Sequence, residues 1–251
     1  MNMIEYCAVG EKIPFATNDC LYKDGSNEKI ILSSNNFSYY DNGCCSYIYK
    51  FIKQENILLK VYNIDFPGRY RLSKTTFDLL KNAKIPNIVE LYDRFYMENN
   101  PFFKFLGIDA YSMKEVLGER IKLIDYDRKH LIEIMKSFEE TLKKLSKMKI
   151  QLCDMHKDNI ILTNNGITII DCDQFLYSFF SRNNFYEINK ISALNCLNTI
   201  IRSEFPLQSY NTFIDTNPYA SCLDIVSQYI NNMDENTIRE HLENQICKKK
   251  C

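Results

Sequence analysis

Residues 151–175 read QLCDMHKDNIILTNNGITIIDCDQF. Two apolar runs, "NIIL" from Asn159 and "ITIID" to Asp171, sit among Asp154, His156, Asn159, Asp171 and Asp173. A carboxylate beside a buried strand is costly unless it is paired, hydrogen-bonded or bound to a metal. Asn164-Asn165-Gly166 is a turn signal between the runs. The stretch therefore predicts a loop carrying Asp154, a strand opened by Asn159, a tight turn, and a second strand delivering Asp171. Alone, the D-x-x-x-x-N spacing reads as a polar turn between a helix and a hairpin; what surrounds it gives it meaning.

Upstream, Leu131, Ile134, Met135, Phe138, Leu142 and Leu145 form one apolar face of a helix running from Asp127 to Met148. Before it the chain is strand-rich, with turn signals at 23–27, 40–43 and 53–56. "SYIYKFI", "KQEN" and "ILLKVYN" read as a hairpin whose second strand carries Lys60. A helix is expected over about 72–83 from the spacing of Leu72, Thr76, Leu79, Leu80 and Ala83. Two more strands follow around a turn at Glu98-Asn99-Asn100. Downstream, Asn217-Pro218 opens a helix with Tyr219, Cys222, Leu223, Val226, Tyr229 and Ile230 on one face. Asp234 caps a last helix with Ile238, Leu242 and Ile246 facing inward.

The 251 residues suffice for one large domain or two small lobes. A net charge of −1 gives no electrostatic support to a nucleic-acid partner. Lys248-Lys249-Lys250, between Cys247 and Cys251, reads as a solvated tail. No run approaches the roughly eighteen apolar residues of a membrane span. The start, MNMIEYCAVGEKIPFA, has an acid where a secretory signal would carry Lys or Arg. The chain holds 10 cysteines, including the adjacent Cys44-Cys45, but no CxxC. His130, His156 and His241 lack ligand spacing, so zinc is not expected. The cysteines read as reduced residues of a cytoplasmic protein, with no membrane partner.

The order of these features resembles the protein-kinase-like superfamily over most of the chain: a strand lysine, a long helix, a loop Asp, an Asn, then a hairpin ending in Asp. The family's catalytic loop is H-R-D-x-x-x-x-N, followed by D-F-G. The resemblance implies that Asp154 orients the acceptor hydroxyl and takes its proton. It makes Asn159 and Asp171 metal ligands, with "DCD" standing where DFG would be and Asp173 a further candidate ligand or turn cap. Lys60 in "ILLKVY" matches the lysine that contacts the α- and β-phosphates. "IPNIVELYD" is similar to the segment linking the family's first helix to strand 4. Gly43 and Ser46, in "NGCCSYIYK", stand where a phosphate-covering loop would lie.

The chain also departs from the pattern. Only Gly43 remains of three loop glycines, and Asp41 stands close by. Counting back from Pro86 puts Thr76 where the helix Glu partner of Lys60 is expected; Asp78 is the nearest acid, with Glu55 and Asp65 elsewhere in the neighbourhood. His156 replaces a lysine, so that D-M-H-x-x-N is closer to aminoglycoside and choline kinases; it could meet the γ-phosphate or brace the loop. "NKISALNCLNTII" follows Asp171 too closely for a long activation segment, and no A-P-E occurs.

The expectation is therefore an α+β, bilobal protein-kinase-like fold with a short or absent activation segment. It is a single domain over 1–251, with a β-rich N-lobe over 1–108 and a hinge and mainly helical C-lobe over 109–251. Its cofactors are ATP and Mg²⁺. Its activity is transfer of the γ-phosphate to a hydroxyl, Ser or Thr of a protein favoured. A small-molecule kinase and a nucleotide-binding pseudokinase scaffold are the alternatives.

Overall fold

The computed structural model describes residues 5–6, 12–13, 20–43, 45–63, 71–97, 107–118, 128–163, 165–179 and 184–204. The expected helices after Asn217 and Asp234, the turn at Glu98–Asn100, Asp65 and the CKKKC tail lie outside them. The chain divides into two compact units, one of Met1–Leu117 with Ile169–Phe179, the other of Gly118–Thr168 with Phe180–Cys251.

The first unit is α+β. Its strands are β1 (Glu5–Tyr6), β2 (Lys12–Ile13), β3 (Cys20–Lys23), β4 (Lys29–Ile31), β5 (Phe37–Asn42), β6 (Ser46–Phe51), β7 (Ile57–Tyr62), β8 (Leu91–Met97) and β9 (Ala110–Lys114). Its helix is α1 (Lys74–Ala83). β3 to β9 form a seven-stranded sheet in the order β4-β3-β8-β9-β7-β6-β5, and every pair in it is antiparallel. The hairpin expected from "SYIYKFI" and "ILLKVYN" is β6–β7, with Ile48 opposite Lys60.

β7 is an interior strand of this sheet, between β9 and β6, and both of its faces are covered. Leu59 and Val61 join Leu21, Phe37, Tyr49, Phe95 and Ala110 in one apolar cluster. Side chains alternate along a strand, so Lys60 and Tyr62 share the other face. β9 places Tyr111 directly opposite Lys60, hence on that same face. Phe77 of α1 meets the Tyr111 ring edge-on, with centroids 6.2 Å apart, and Leu72, Phe77 and Leu80 are buried.

Ser73 caps α1 by accepting from the Thr76 N–H at 3.1 Å, so the helix starts slightly later than its apolar spacing suggests. Lys84 ends it in a left-handed conformation, φ 43°, shortly before Pro86. Just beyond, Ile88 makes a parallel bridge with Ile169. The Ile169 N–H donates to the Asn87 carbonyl at 2.8 Å, and the Val89 N–H to the Ile169 carbonyl at 2.9 Å. This bracket fixes the chain just before Asp171.

The second unit contains α2 (Arg128–Lys147), β10 (Ile150–Gln151), a 3-10 turn (Lys157–Asn159), β11 (Ile160–Thr163), most of β12 (Gly166–Ile169) and α3 (Phe185–Glu204). β11 and β12 form the expected hairpin. α2 carries the expected stripe, with Ile134, Met135, Phe138, Leu142 and Leu145 buried. α3 begins at Phe185, ahead of the expected "NKISALNCLNTII", with Asn184 accepting from the Glu187 N–H at its start. It buries Ala193, Cys196, Leu197 and Ile200. A last short strand, β13 (Leu176–Tyr177), belongs to the first unit. Among the described residues, Cys20, Cys45, Cys153, Cys172 and Cys196 form no disulfide. Among the described residues no helix is long and apolar enough to cross a membrane.

Candidate functional site

In the first unit, Lys60, Asp171 and Asp173 come together. Lys60 Nζ donates to Asp171 Oδ2 at 2.7 Å and lies 2.7 Å from Asp173 Oδ2. The lysine side chain is only 4% exposed, against 29% for Asp171 and 11% for Asp173. An ammonium so deep in protein persists only where acids meet it. The expectation placed its partner on α1, where position 76 is Thr. Thr76 is fully buried and its hydroxyl shares a 2.8 Å hydrogen bond with Ser73. Asp78 instead pairs with Arg94. The carboxylates that hold Lys60 come from the segment after β12.

Asp173 is bound on its other oxygen by two phenols. Tyr62 Oη donates to Asp173 Oδ1 at 2.6 Å, and Tyr111 Oη to the same atom at 3.0 Å. Tyr62 Oη in turn accepts from the Leu72 N–H at 3.1 Å. The Asp173 N–H donates to Asp171 Oδ1 at 3.0 Å. Burial pushes the Asp173 carboxyl up to about 6, with Lys60 opposing and Asp171 adding to the rise. Asp171 is also raised by burial, but Lys60 and the Asp173 N–H outweigh that and bring it below the ordinary value. The two differ because Asp173 is deeper. Burial disfavours the Lys60 ammonium, yet Asp173 and then Asp171 keep its pKa above the ordinary value.

A second buried pair braces this face. Arg71 Nη1 donates to Asp109 Oδ1 at 2.6 Å, and Nη2 donates to the Asn63 carbonyl at 2.9 Å. Asp109 Oδ2 accepts from the Met97 N–H, and the Arg71 guanidinium lies 5.4 Å from the Tyr62 ring centre.

Gly43 and Ser46 belong to the β5–β6 turn, where the Gly43 N–H donates to the Ser46 carbonyl at 3.0 Å. Gly43 does not have the positive φ of Gly25 or Gly166, and a Cβ there would meet only Ser46 Oγ at 4.0 Å. The backbone itself therefore makes no demand for glycine at this position. Ser46 is buried opposite Tyr62.

In the second unit, Asp154, His156 and Asn159 share one short loop. Asp154 has φ 56°, a left-handed conformation uncommon outside glycine. Asn159 is buried; its Nδ2 donates to the Asp154 carbonyl at 2.8 Å, and its N–H to the His156 carbonyl at 3.0 Å. With the amide nitrogen used this way, Oδ1 is the acceptor atom of the Asn159 side chain. The side chains of Asp154 and His156 are about half exposed, with His156 Nε2 3.9 Å from Asp154 Oδ2 and Nδ1 3.7 Å from Asp158 Oδ2.

Asn189 of α3 holds the foot of this loop. It is fully buried, accepts from the Leu152 N–H at 2.8 Å, and donates from Nδ2 to the Ile150 carbonyl at 2.9 Å and to Ser146 Oγ at 3.3 Å. Tyr62, Tyr111 and Asn189 were not singled out from sequence. A faint signal existed for Tyr62, two residues after Lys60 on the same strand.

In the first unit the partly exposed Asp171 offers carboxylate oxygens of the kind a hard cation takes, whereas both Asp173 oxygens are already engaged by Lys60, Tyr62 and Tyr111. Among the described residues no group of three or more His, Cys, Asp or Glu side chains gathers as a metal cage.

No protein-family model matches the chain, and no curated protein matches it. Among solved structures, the chain is similar to the kinase PK-1 of Cydia pomonella granulovirus, with a TM-score of 0.48 and 14% identity, over 83% of this chain and 88% of that one.

Proposed function

We propose that this protein is an ATP- and Mg²⁺-dependent phosphotransferase of the protein-kinase type that moves the γ-phosphate of ATP to a hydroxyl, a protein Ser or Thr favoured. The observation that carries the reading is the 2.7 Å pair between Lys60 and Asp171, far apart in sequence. The sequence resemblance named these two residues independently, one for phosphate and one for metal.

In this reading Lys60 neutralises the α- and β-phosphates, a task suited to a compact ammonium held in place. The resemblance names Asp171 and Asn159 as the residues that would hold Mg²⁺, which neutralises phosphate charge when bound. Asp154 accepts the proton of the acceptor hydroxyl as its oxygen attacks the γ-phosphorus. The bond from that phosphorus to the bridging oxygen breaks, and ADP leaves with the electron pair. Strained backbone often marks a functional residue, and the left-handed Asp154 supports this role. Gly43 and Ser46 are proposed to flank the phosphates through backbone N–H groups.

A small-molecule kinase is the second reading, favoured by His156, which is half exposed beside Asp154 and available to an acceptor or γ-phosphate. The test is Mg²⁺-dependent ATP binding by thermal shift, followed by label transfer to the protein itself, a generic protein and a panel of small alcohols. Asp171→Asn should lose the Mg²⁺–ATP shift. Asp154→Asn should keep the shift and lose transfer. Binding without transfer in the wild type would leave a nucleotide-binding scaffold; neither binding nor transfer would end both kinase readings.

A further inference from the structure

Asp171 and Asp173 both touch Lys60, but they are held differently. Asp171 rests on Lys60 and on an N–H of its own loop. Asp173 is fixed by Tyr62 of β7 and Tyr111 of β9, the two strands that set the position of Lys60. Tyr62 is itself fixed by the Leu72 N–H and flanked by Arg71. A cation recruited to the more exposed Asp171 competes with Lys60 for that carboxylate. Reaching Asp173 would mean displacing Lys60 from one oxygen and two phenols from the other.

We propose that Asp173 is the positioning residue of Lys60, a fixed carboxylate that keeps the ammonium in place when Asp171 turns to a metal ion. This rests on the phosphotransferase reading and separates the roles of the two acids: Asp171 is the exchangeable ligand and Asp173 the anchor. The anchor comes from the segment after β12 because α1 offers Thr76, already bonded to Ser73, where an acid was expected.

The test compares full-length wild type, Asp173→Asn, Asp171→Asn and the double variant Tyr62→Phe/Tyr111→Phe. ATP affinity is measured in EDTA and across a Mg²⁺ titration. Lys60 labelling by a small amine-reactive electrophile is followed without nucleotide at one pH, by mass spectrometry. Asp173→Asn should weaken ATP about tenfold with or without Mg²⁺, since losing a buried charged contact is worth roughly that factor. It should also speed Lys60 labelling while leaving the Mg²⁺ midpoint unchanged. The double Phe variant should move the same way by about threefold, and it carries the test if Asp173→Asn fails to fold. Asp171→Asn should move the Mg²⁺ midpoint and lower the affinity in EDTA less than Asp173→Asn does.

A shifted Mg²⁺ midpoint in Asp173→Asn would make it a metal ligand and overturn the proposal. Unchanged affinity and labelling would overturn it too. If the wild type binds no ATP, the phosphotransferase reading falls, and labelling alone decides the anchor. Faster Lys60 labelling in Asp173→Asn than in Asp171→Asn then supports it; equal or slower labelling refutes it.

Discussion

The Lys60 cluster and the Asp154 loop solve opposite problems. Around Lys60 the charges are buried, doubly bonded and drawn from distant parts of the chain: Tyr62 and Asp173 are 111 residues apart. Around Asp154 the side chains are half exposed, and the bonds shaping the loop are local, Asn159 reaching back five residues. A cation that must stay in place profits from burial among matched acids. In its proposed role as a base meeting an incoming hydroxyl, Asp154 has to remain accessible, so its precision comes from the backbone instead.

The sharpest way to break this contrast is Lys60→Met. It leaves Asp171 and Asp173 side by side without the ammonium between them, and should cost about 3–5 kcal/mol in urea unfolding at neutral pH, as for other broken buried pairs. Adding Asp173→Asn should recover much of that loss. A cost near zero would mean the cluster is far better solvated than its burial implies. Next comes Asn189→Ala, which leaves the buried Leu152 N–H and Ile150 carbonyl without their partner. A loss of about 2–3 kcal/mol is expected, with hydrogen exchange at the Leu152 amide rising sharply. If that amide stays protected, the loop does not depend on α3.

Asp154 itself should show the reverse economy. Asp154→Gly relieves the left-handed strain and should be about 1 kcal/mol more stable than Asp154→Ala by thermal melting. Equal melting temperatures would remove backbone strain from the description of this loop. The smallest effect is expected at Gly43→Ala, within about 0.5 kcal/mol of wild type, because a methyl there enters open space. Any larger drop in ATP affinity than in stability at Gly43 would then report a ligand approaching the backbone.

What could be read from the sequence follows the same divide. The Lys60 strand, α1, β8, α2 and the β11–β12 hairpin were legible because periodicity and turn chemistry are local, whereas β9 lies at Ala110–Lys114, mostly beyond the stretch expected to hold it. So was the grouping of Asp154, His156 and Asn159, which lie in one loop. The partner of Lys60 was not. The expectation looked to α1, the adjacent helix, whereas the acids arrive after the whole Asp154 loop has been traversed. Tyr111 was hidden for a related reason: its place opposite Lys60 is a matter of strand register, which only the folded sheet sets. Asn189 looked like any polar residue of a helix, and only packing made it a brace.

That the first unit is completed by Ile169–Phe179 bears on how the chain is made. During synthesis β7 emerges early, while both carboxylates that hold Lys60 emerge well over a hundred residues later. Until then a sheet built around β7 would enclose an ammonium short of its counter-ions. The nascent small unit is thus electrostatically unfinished, and its final closure waits for the segment that carries Asp171 and Asp173. A chain released before Asp171 should therefore lack a stable first unit, tying completion of the fold to completion of the site.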